Sequence, residues 1–579
     1  MTDWDWTFDL VVVGSGAAGL TAAVTARHRG LSVVVLEKTA YFGGSTALSG
    51  GGLWIPNNAL MQRAGIRDSF EAALTYLQAT VGDETPRAKQ EAYLREAPRM
   101  LDFLIAQGLR FRRADGYADY YPEKPGGHVR SRLVESALIS GRPLGKLYPL
   151  IRSREGLAGK LALTTSEYRA LGLALRTPGN FLRITGVMAR NAWQLLTKRR
   201  HMALGKALVG QLLMLADKLG VVLWNESPMH ELVLEQQRVR GIVATHEGRK
   251  VRIQARRGVL LAAGGFAHNA RMRQHYQQAP IETTWTSAAP GDTGEVIEAA
   301  QAIGADVALM EDAWWGPTSL PEGVPMFHVN ERSLPGSIIV DQAGRRFMNE
   351  AQSYTDAVHI MYAHHREVPC IPAYFIMDRR FRRLYPFGMV PPGLTPRKLL
   401  RDGYFIQAPT LEALAQKLGI DPQGLQETVS RFNAFAQSGQ DLDFHRGESA
   451  YDRYYGDPTV KPNPCLAPLQ ESPFYAVKLW PGDLGTKGGL VTDERARVLR
   501  ADGSAIEGLY AAGNTTASVM GHYYPGPGAT IGPAMTFGYI AALDMATTPL
   551  PSTTSSTQAS DGTLAAPVSE HAGQARTEQ

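Results

Sequence analysis

The sequence predicts an α/β fold, α+β over the whole chain, in which a second domain is inserted into a dinucleotide-binding one. Three observations predict it. The chain opens with a strand, a glycine turn, a helix, a second strand and an acid, all within about thirty residues. Two later apolar strands, starting at Gly258 and Gly508, both run into glycines, Gly264 and Gly513. Finally, 579 residues at 44% hydrophobic can bury more than one core, so two domains are expected.

The opening unit is Rossmann-like. Residues 9–13 form a short apolar strand, followed by Gly14, Ser15, Gly16, Ala17, Ala18 and Gly19. A helical pattern covers residues 20–27, and a second strand over 32–36 ends in Glu37. The glycines permit a tight turn and close approach of a pyrophosphate, and the helix N-terminus faces the phosphates. Glu37, 23 positions after Gly14, suits a ribose 2′-hydroxyl, with Lys38 beside it.

Two glycine clusters beyond this unit favour FAD over NAD. Gly43, Gly44, Ser45 and Thr46 come directly after the second strand, then Ser49, Gly50, Gly51 and Gly52. Such clusters let backbone pass close to a large flat ligand. Ala263 and Gly264, and later Gly513 and Asn514, end the two glycine-terminated strands. Met229 is a candidate backbone contact to adenine. Together these pieces resemble the two-domain flavoproteins related to fumarate reductase and succinate dehydrogenase, over residues 8–545. No histidine lies between Tyr41 and Gly52, where covalently flavinylated relatives attach FAD, so the resemblance implies non-covalent FAD. It also implies an inserted catalytic lid domain of the fumarate reductase flavoprotein type.

The expected partition is then clear. Residues 1–282 form the first part of the FAD domain, 283–446 the insertion, 447–546 the second part, and 547–579 a disordered tail rich in Ser, Thr, Ala and Pro.

Composition narrows the setting. Cys370 and Cys465 are distant and unpatterned, which predicts neither a disulfide framework nor a metal site and fits a reducing, cytoplasmic compartment. The acidic start lacks the form of a signal peptide, and no run of about eighteen apolar residues appears. Residues 151–200 hold ten Arg or Lys against two acids, Glu155 and Glu167, within a chain of net charge +5. Large apolar residues, among them Phe181, Leu182, Trp193 and Leu196, interleave with those bases. The stretch 150–205 therefore reads either as an interfacial element at the inner face of the cell membrane or as a helical excursion packed on the FAD domain. No recognised nucleic-acid module accompanies it, so nucleic acid is not an expected partner.

The chemistry lies in three tyrosine-bearing segments. Near the end, His522, Tyr523, Tyr524, Pro525, Gly526, Pro527 and Gly528 form a loop unable to continue a strand or helix, and an apolar helical run begins at Ala534. In the dicarboxylate-reducing relatives, an R-F-x-N-E segment is followed by a catalytic arginine. Here the segment is Arg346-Phe347-Met348-Asn349-Glu350, and Tyr354 stands at the arginine position. Those relatives also place a histidine before T-x-G-G, where this chain reads Gly485-Thr486-Lys487-Gly488-Gly489, and an arginine in the last loop, where it reads Ala529-Thr530-Ile531. A site without those cations suits a dianion poorly. The third segment is Tyr117-Ala118-Asp119-Tyr120-Tyr121-Pro122, ahead of Gly126 and Gly127.

In order and spacing the three segments resemble the 3-ketosteroid Δ1-dehydrogenases. The resemblance implies that Tyr524 and the Gly528 N–H bind the C3 ketone oxygen, that Tyr354 is the base at C2, and that Tyr120 hydrogen-bonds Tyr354. Tyr117 is expected to line the pocket, and Gly528, Thr530 and Ile531 to border the FAD. Tyr121 and Tyr523 are adjacent duplicates of the chosen tyrosines. Trp314 and Trp315 suit either an apolar substrate or the core, and Lys487 carries no assigned role. The implied activity is transfer of a hydride from C1 to flavin with loss of the C2 proton, the electrons passing on to an unidentified acceptor such as a quinone. The alternatives are a Δ4-(5α)-dehydrogenase, an enone or dicarboxylate reductase, or a flavin-binding membrane-surface protein without catalysis.

Overall fold

The computed structural model describes residues 3–154 and 159–548. The expected tail beyond residue 548 lies outside the described residues. The opening strand Trp6–Val13 pairs in parallel with Val33–Leu36 on one side and Arg249–Leu261 on the other. Val222–Trp224 extends the sheet beyond Val33–Leu36. Where the first three meet, as Leu10–Val13, Val33–Leu36 and Val259–Leu261, they read Val/Leu-rich without alternation because both faces of the sheet are covered there.

The 13-residue strand Arg249–Leu261 serves two partners in turn. Its first half pairs antiparallel with Arg238–His246, and its second half pairs in parallel with Ala505–Ala511. The chain thus returns to its first sheet near its end, as the repeated glycine-terminated strands predict.

Helix Ala17–His28 packs beneath this sheet against Leu204–Leu219 and Ile531–Thr547. Its start is nearly all Ala and Gly, which lets backbones approach. A Cβ on Gly538 would stand 2.4 Å from the Ala18 carbonyl oxygen, and one on Gly19 would stand 2.0 Å from that of Gly14. The C-terminal helix begins at Ile531, three residues before the expected apolar run. Pro533 falls in its first turn, where a missing N–H breaks no intrahelical bond.

The second sheet contains Ala313–Ser319, Met326–Phe327, Ser337–Val340, Ala373–Met377, Ile406–Ala408 and Phe474–Thr486. Phe474–Thr486 is its longest strand and pairs with Ala313–Ser319, Ala373–Met377 and Ile406–Ala408. It lies beyond residue 446, so the second sheet is completed by a strand past the expected end of the insertion. The sequence pattern does not reveal this because the sheet needs a strand whose partners lie up to about 170 residues upstream. One face of the sheet packs on helix Tyr354–His365 through Trp315, Val358, Met361 and Phe375. The other packs on Leu411–Leu418 and Pro422–Ser438 through Leu414, Leu425 and Phe432.

The two domains are joined by a buried ion pair. Asp483, on the long strand, accepts from Arg273 Nη1 at 2.7 Å and from Thr286 Oγ1 at 2.6 Å. Arg273 belongs to the helix Ala270–Tyr276, which comes after Arg249–Leu261.

The basic stretch forms helices Thr165–Gly172 and Pro178–Leu196. The longer one is turned inside out. Its buried face carries Asn191 and Gln194 beside Ile184 and Val187. Asn191 Oδ1 accepts from Ala162 N at 2.8 Å, and Gln194 Oε1 accepts from His201 N at 3.1 Å. Phe181, Leu182, Trp193 and Leu196 face outward, with Leu182 at 70% and Leu196 at 79% exposure. Among the described residues no helix is long and apolar enough to cross a membrane.

Gly538→Val tests the close helix packing. Its side chain would meet the Ala18 backbone, and overpacking of this kind costs about 1–3 kcal/mol. A lower urea midpoint with unchanged slope is expected; an unchanged midpoint would mean that the helices are free to shift apart.

Candidate active site

Tyr120 is placed by the residue before it. The buried Asp119 carboxylate accepts from Trp54 Nε1 at 2.7 Å, His128 N at 3.0 Å and Arg132 Nη1 at 2.8 Å. Arg132, itself fully buried, also donates to Asp68 at 2.7 Å. Burial raises the Asp119 carboxyl, against the pull of Arg132 and the Trp54 donor. Asp68 is held below the usual range by its contacts with Arg132, which outweigh burial.

The last tyrosine loop is tied directly to this one. Pro525 O accepts from Tyr120 N at 2.9 Å and from Tyr76 Oη at 2.5 Å. Gly528 O accepts from Trp54 N at 3.1 Å. A Cβ on Gly528, whose φ is +92°, would stand 2.4 Å from the Gly52 carbonyl carbon. Only glycine allows both that conformation and that approach.

Tyr354 arrives from the inserted domain at the start of helix Tyr354–His365. The R-F-x-N-E segment before it is structural. Arg346 grips Glu350 in a two-pronged pair at 2.7 Å on each oxygen and also contacts Asp441 at 2.7 Å. Arg446 adds a second buried cation against Glu350 at 3.1 Å. Asn349 donates to Asp452 at 2.9 Å, and Arg332 donates to the Glu350 carbonyl at 2.6 Å. These bonds fix the entry to the helix and so the direction of Tyr354.

The three expected tyrosines meet. Tyr120 Oη donates to Tyr354 Oη at 3.1 Å. Tyr524 stacks on Tyr120 with ring centroids 5.1 Å apart and meets Tyr354 edge-on at 5.3 Å. Trp314 closes the group, edge-on to Tyr524 at 4.9 Å. Burial pushes the Tyr354 phenol well above its ordinary value, and the Tyr120 donor acts the other way. Burial also raises Tyr524, opposed by the Thr530 hydroxyl, Tyr354 and the Gly528 amide. Thr530 Oγ1 donates to Tyr524 Oη at 3.2 Å.

Adjacent residues act differently. Tyr121 donates to Asp356 at 2.9 Å, away from Tyr354. Tyr523 lies edge-on to Tyr121 and supplies its carbonyl to Lys487 Nζ at 3.4 Å. Lys487 is fully buried, pairs with Asp312 at 2.9 Å and sits over the Trp314 ring. Trp315 instead joins the core of the inserted domain and donates to Asp312 at 2.6 Å.

Sequence reasoning does not single out the helix Ala450–Tyr455. Its Tyr451 packs on Tyr120 at 4.5 Å, Tyr454 stacks on Tyr117 at 4.4 Å, and Tyr455 donates to Tyr117 at 2.7 Å. The three tyrosines at 451, 454 and 455 are the signal that could have found it.

The residues expected to hold the dinucleotide divide in role. Gly14, at φ +108°, and Gly51 are required by protein packing: a Cβ there would stand 2.2 Å from Ala262 O and 2.3 Å from Gly205 N. Gly16, Gly44 and Gly50 meet no protein atom within 3.5 Å of an added Cβ, leaving their side open for a ligand. Gly16 starts helix Ala17–His28 without a side-chain cap, and Thr46 Oγ1 accepts only from Ala17 N there. Glu37 accepts from Ser15 Oγ at 2.5 Å and Thr39 Oγ1 at 2.7 Å. Lys38 pairs with Glu295 and Thr293, both at 2.5 Å. Ser45 donates to Asp292, whose carboxyl burial pushes up to about 7. Met229 opens a strand and packs with Leu36 and Trp224. Ala263 and Gly264 follow the end of strand Arg249–Leu261. Gly513, Asn514, Thr530 and Ala534 line a cleft with Trp314, Lys487 and Lys89 ahead of helix Ile531–Thr547. Ile531 is that helix's first residue. Two helix N-termini, an acid after the second strand and an open glycine face fit FAD.

The sheet, the open glycine face and the helix N-termini define a flavoprotein in which Tyr120, Tyr354 and Tyr524 meet, and comparison narrows the class. The family model described as "FAD binding domain" matches residues 9–531. A 3-oxosteroid 1-dehydrogenase of Mycolicibacterium smegmatis is 48% identical over 93% of this chain and 97% of its own. The structure of the 3-ketosteroid Δ1-dehydrogenase of Sterolibacterium denitrificans in complex with 1,4-androstadiene-3,17-dione superposes with TM-score 0.90 at 41% identity, over 93% of this chain and 99% of that one. That of the 3-ketosteroid-Δ4-(5α)-dehydrogenase of Rhodococcus jostii superposes with TM-score 0.65 at 25% identity, over 95% and 98%. The chain belongs to the FAD-binding flavoprotein family, with the 3-oxosteroid 1-dehydrogenases as its relatives.

Asp119→Ala tests the anchor beneath Tyr120. It leaves the Trp54 indole N–H unpartnered and removes one of the two carboxylates on buried Arg132, which keeps Asp68; an unsatisfied buried donor alone costs about 1–3 kcal/mol. The urea midpoint is expected to fall accordingly; a change within experimental error would show that the loop is held by other contacts.

Proposed function

We propose that this protein is an FAD-dependent dehydrogenase of 3-ketosteroids that introduces the C1–C2 double bond. The observation that carries this reading is the meeting of Tyr120, Tyr354 and Tyr524 from three distant segments, with Tyr120 donating to Tyr354. The similarity to 3-oxosteroid 1-dehydrogenases supports it, and the weaker match to the Δ4-(5α)-enzyme favours C1–C2 over C4–C5.

The residue roles rest on chemistry. Tyr524 Oη and the Gly528 N–H are the donors for the C3 ketone oxygen. Donors aimed at an oxygen that gains charge as the reaction proceeds lower the barrier. Tyr354, as phenolate, takes the C2 proton, and the electron pair left on C2 enters the enolate held by those donors. An ordinary phenol titrates near 10, so this base needs help. Tyr120 supplies it by donating to the phenolate oxygen. The Gly14–Gly19 turn would hold the pyrophosphate of FAD, Glu37 the ribose, and the segments at 43–52, 263–264, 513–514 and 528–531 its remaining length. FAD held there would supply the acceptor for the C1 hydride. Trp314 and the tyrosine rings exclude water from the reacting carbons.

The inside-out helix Pro178–Leu196 supports a second reading, that the protein rests on an anionic membrane surface. Arg183, Lys198, Arg199 and Arg200 border the exposed Phe181, Leu182, Trp193 and Leu196. Apolar burial plus lipid charge drives binding of this kind. A membrane position also suits a lipid-soluble quinone as electron acceptor.

Two measurements test these proposals. The holoenzyme is expected to bleach anaerobically with 4-androstene-3,17-dione and to yield the 1,4-diene. Tyr354→Phe should lose about 10²–10⁴-fold of that rate while keeping its FAD; near-full rate would remove Tyr354 as the base. For the surface, Leu182→Asp with Trp193→Asp should abolish co-sedimentation with phosphatidylserine vesicles and leave steroid turnover in detergent intact. Equal sedimentation of variant and parent would assign the exposed residues no lipid contact.

A further inference from the structure

Burial is the largest influence on Tyr354 and works against its ionisation. Tyr120 opposes burial, but Tyr120 does not stand alone. Its Oη lies 3.3 Å from Tyr117 Oη, and Tyr455 Oη donates to Tyr117 Oη at 2.7 Å. All four phenols are buried. Because Tyr455 gives its hydrogen to Tyr117, Tyr117 keeps its own for Tyr120, whose hydrogen goes to Tyr354. One arrangement of hydrogens satisfies every contact, and in it each O–H points toward Tyr354.

We propose that Tyr117 and Tyr455 are positioning residues for the base: with Tyr120 they form a line of three phenolic donors that stabilises the Tyr354 phenolate. This rests on Tyr354 being the base. Each donor in such a line polarises the next, and the effect is strongest where water is excluded. Tyr117 is held in place by stacking on Tyr454 at 4.4 Å and by the edge of Tyr455 at 5.4 Å. When the C2–H bond breaks, its proton forms the Tyr354 O–H bond. The line itself loses no proton, because its role is to make that oxygen an anion beforehand.

The other groups facing Tyr354 do not replace this line. Tyr524 and Tyr451 pack around it and, like burial, work against its ionisation, whereas the buried Arg332 guanidinium adds a positive charge that favours the phenolate. Tyr451 Oη makes no hydrogen bond. The Asp356 carboxylate, on the same helix, is engaged by Tyr121. Beyond Tyr455 the ring of Tyr454 lies under the Arg169 guanidinium, 4.4 Å from its centroid.

The test compares Tyr117→Phe and Tyr455→Phe with the parent holoenzyme. The rate of anaerobic flavin bleaching by 4-androstene-3,17-dione is followed from neutral to alkaline pH, with FAD content as a control. In the parent the rate rises as the base ionises. Loss of one donor raises the pKa of the base, so the rising limb moves to higher pH. One neutral hydrogen bond corresponds to about a 2- to 12-fold slower rate at neutral pH. The loss should vanish on the alkaline plateau, and Tyr455→Phe should shift the limb in the same direction by less. An equal loss at every pH would reduce the line to packing and overturn the proposal, as would an unmoved limb in both variants. An unchanged profile in Tyr354→Phe would instead overturn the reading of the base on which the line depends.

Discussion

The hydrogen bond from Tyr120 N–H to Pro525 O sets the distance between the two tyrosine loops of the first domain. Around it lies a buried polar frame: Asp119 holds Trp54, His128 and Arg132, and Tyr76 reaches the same Pro525 carbonyl. Buried polar groups are costly unless each finds a partner, and a fully satisfied frame tolerates few alternative geometries. The approach of Gly528 to Gly52 is part of this constraint, since any larger residue would push the last loop away. Tyr120 and Tyr524 therefore stack because their backbones are already joined.

Tyr354 comes from the other domain, so its position depends on how the domains are fastened. The Arg273–Asp483 pair fastens the long strand Phe474–Thr486 to the first domain. On the insertion side, Arg346, Arg446, Glu350 and Asp441 fix the turn into the Tyr354 helix. On the proposed reading, a substrate bound here would meet the Tyr524 loop on one side and Tyr354 on the other. The tyrosine rings touch one another directly, so a tetracyclic substrate requires them to part.

Much of this was legible in the sequence, for physical reasons that differ by element. The opening strand–turn–helix unit is local, and its glycines answer steric demands that can be read from spacing. Tyr120, Tyr354 and Tyr524 were legible only through resemblance, because nothing in composition places three tyrosines so far apart in one cluster. Strand Phe474–Thr486, past the expected end of the insertion, was not legible as part of the second sheet because it declares that sheet only through distant partners. Tyr451, Tyr454 and Tyr455 were missed because a tyrosine-rich helix reads like any amphipathic core helix. The outward Leu182 and Trp193 were visible as composition, but only the buried Asn191 and Gln194 reveal which side of that helix faces the protein.

The most direct test of the central claim traces each hydrogen of ring A in a single anaerobic turnover of the full-length holoenzyme. The substrate is 4-androstene-3,17-dione carrying deuterium at C1 in one experiment and at C2 in the other. Assignment of the base and the hydride predicts that the C2 label appears in water, that the C1 label leaves the steroid with flavin bleaching, and that the C1 label slows bleaching. Retention of both labels in the product, or delivery of the C1 label to water as a proton in place of the C2 label, would contradict it.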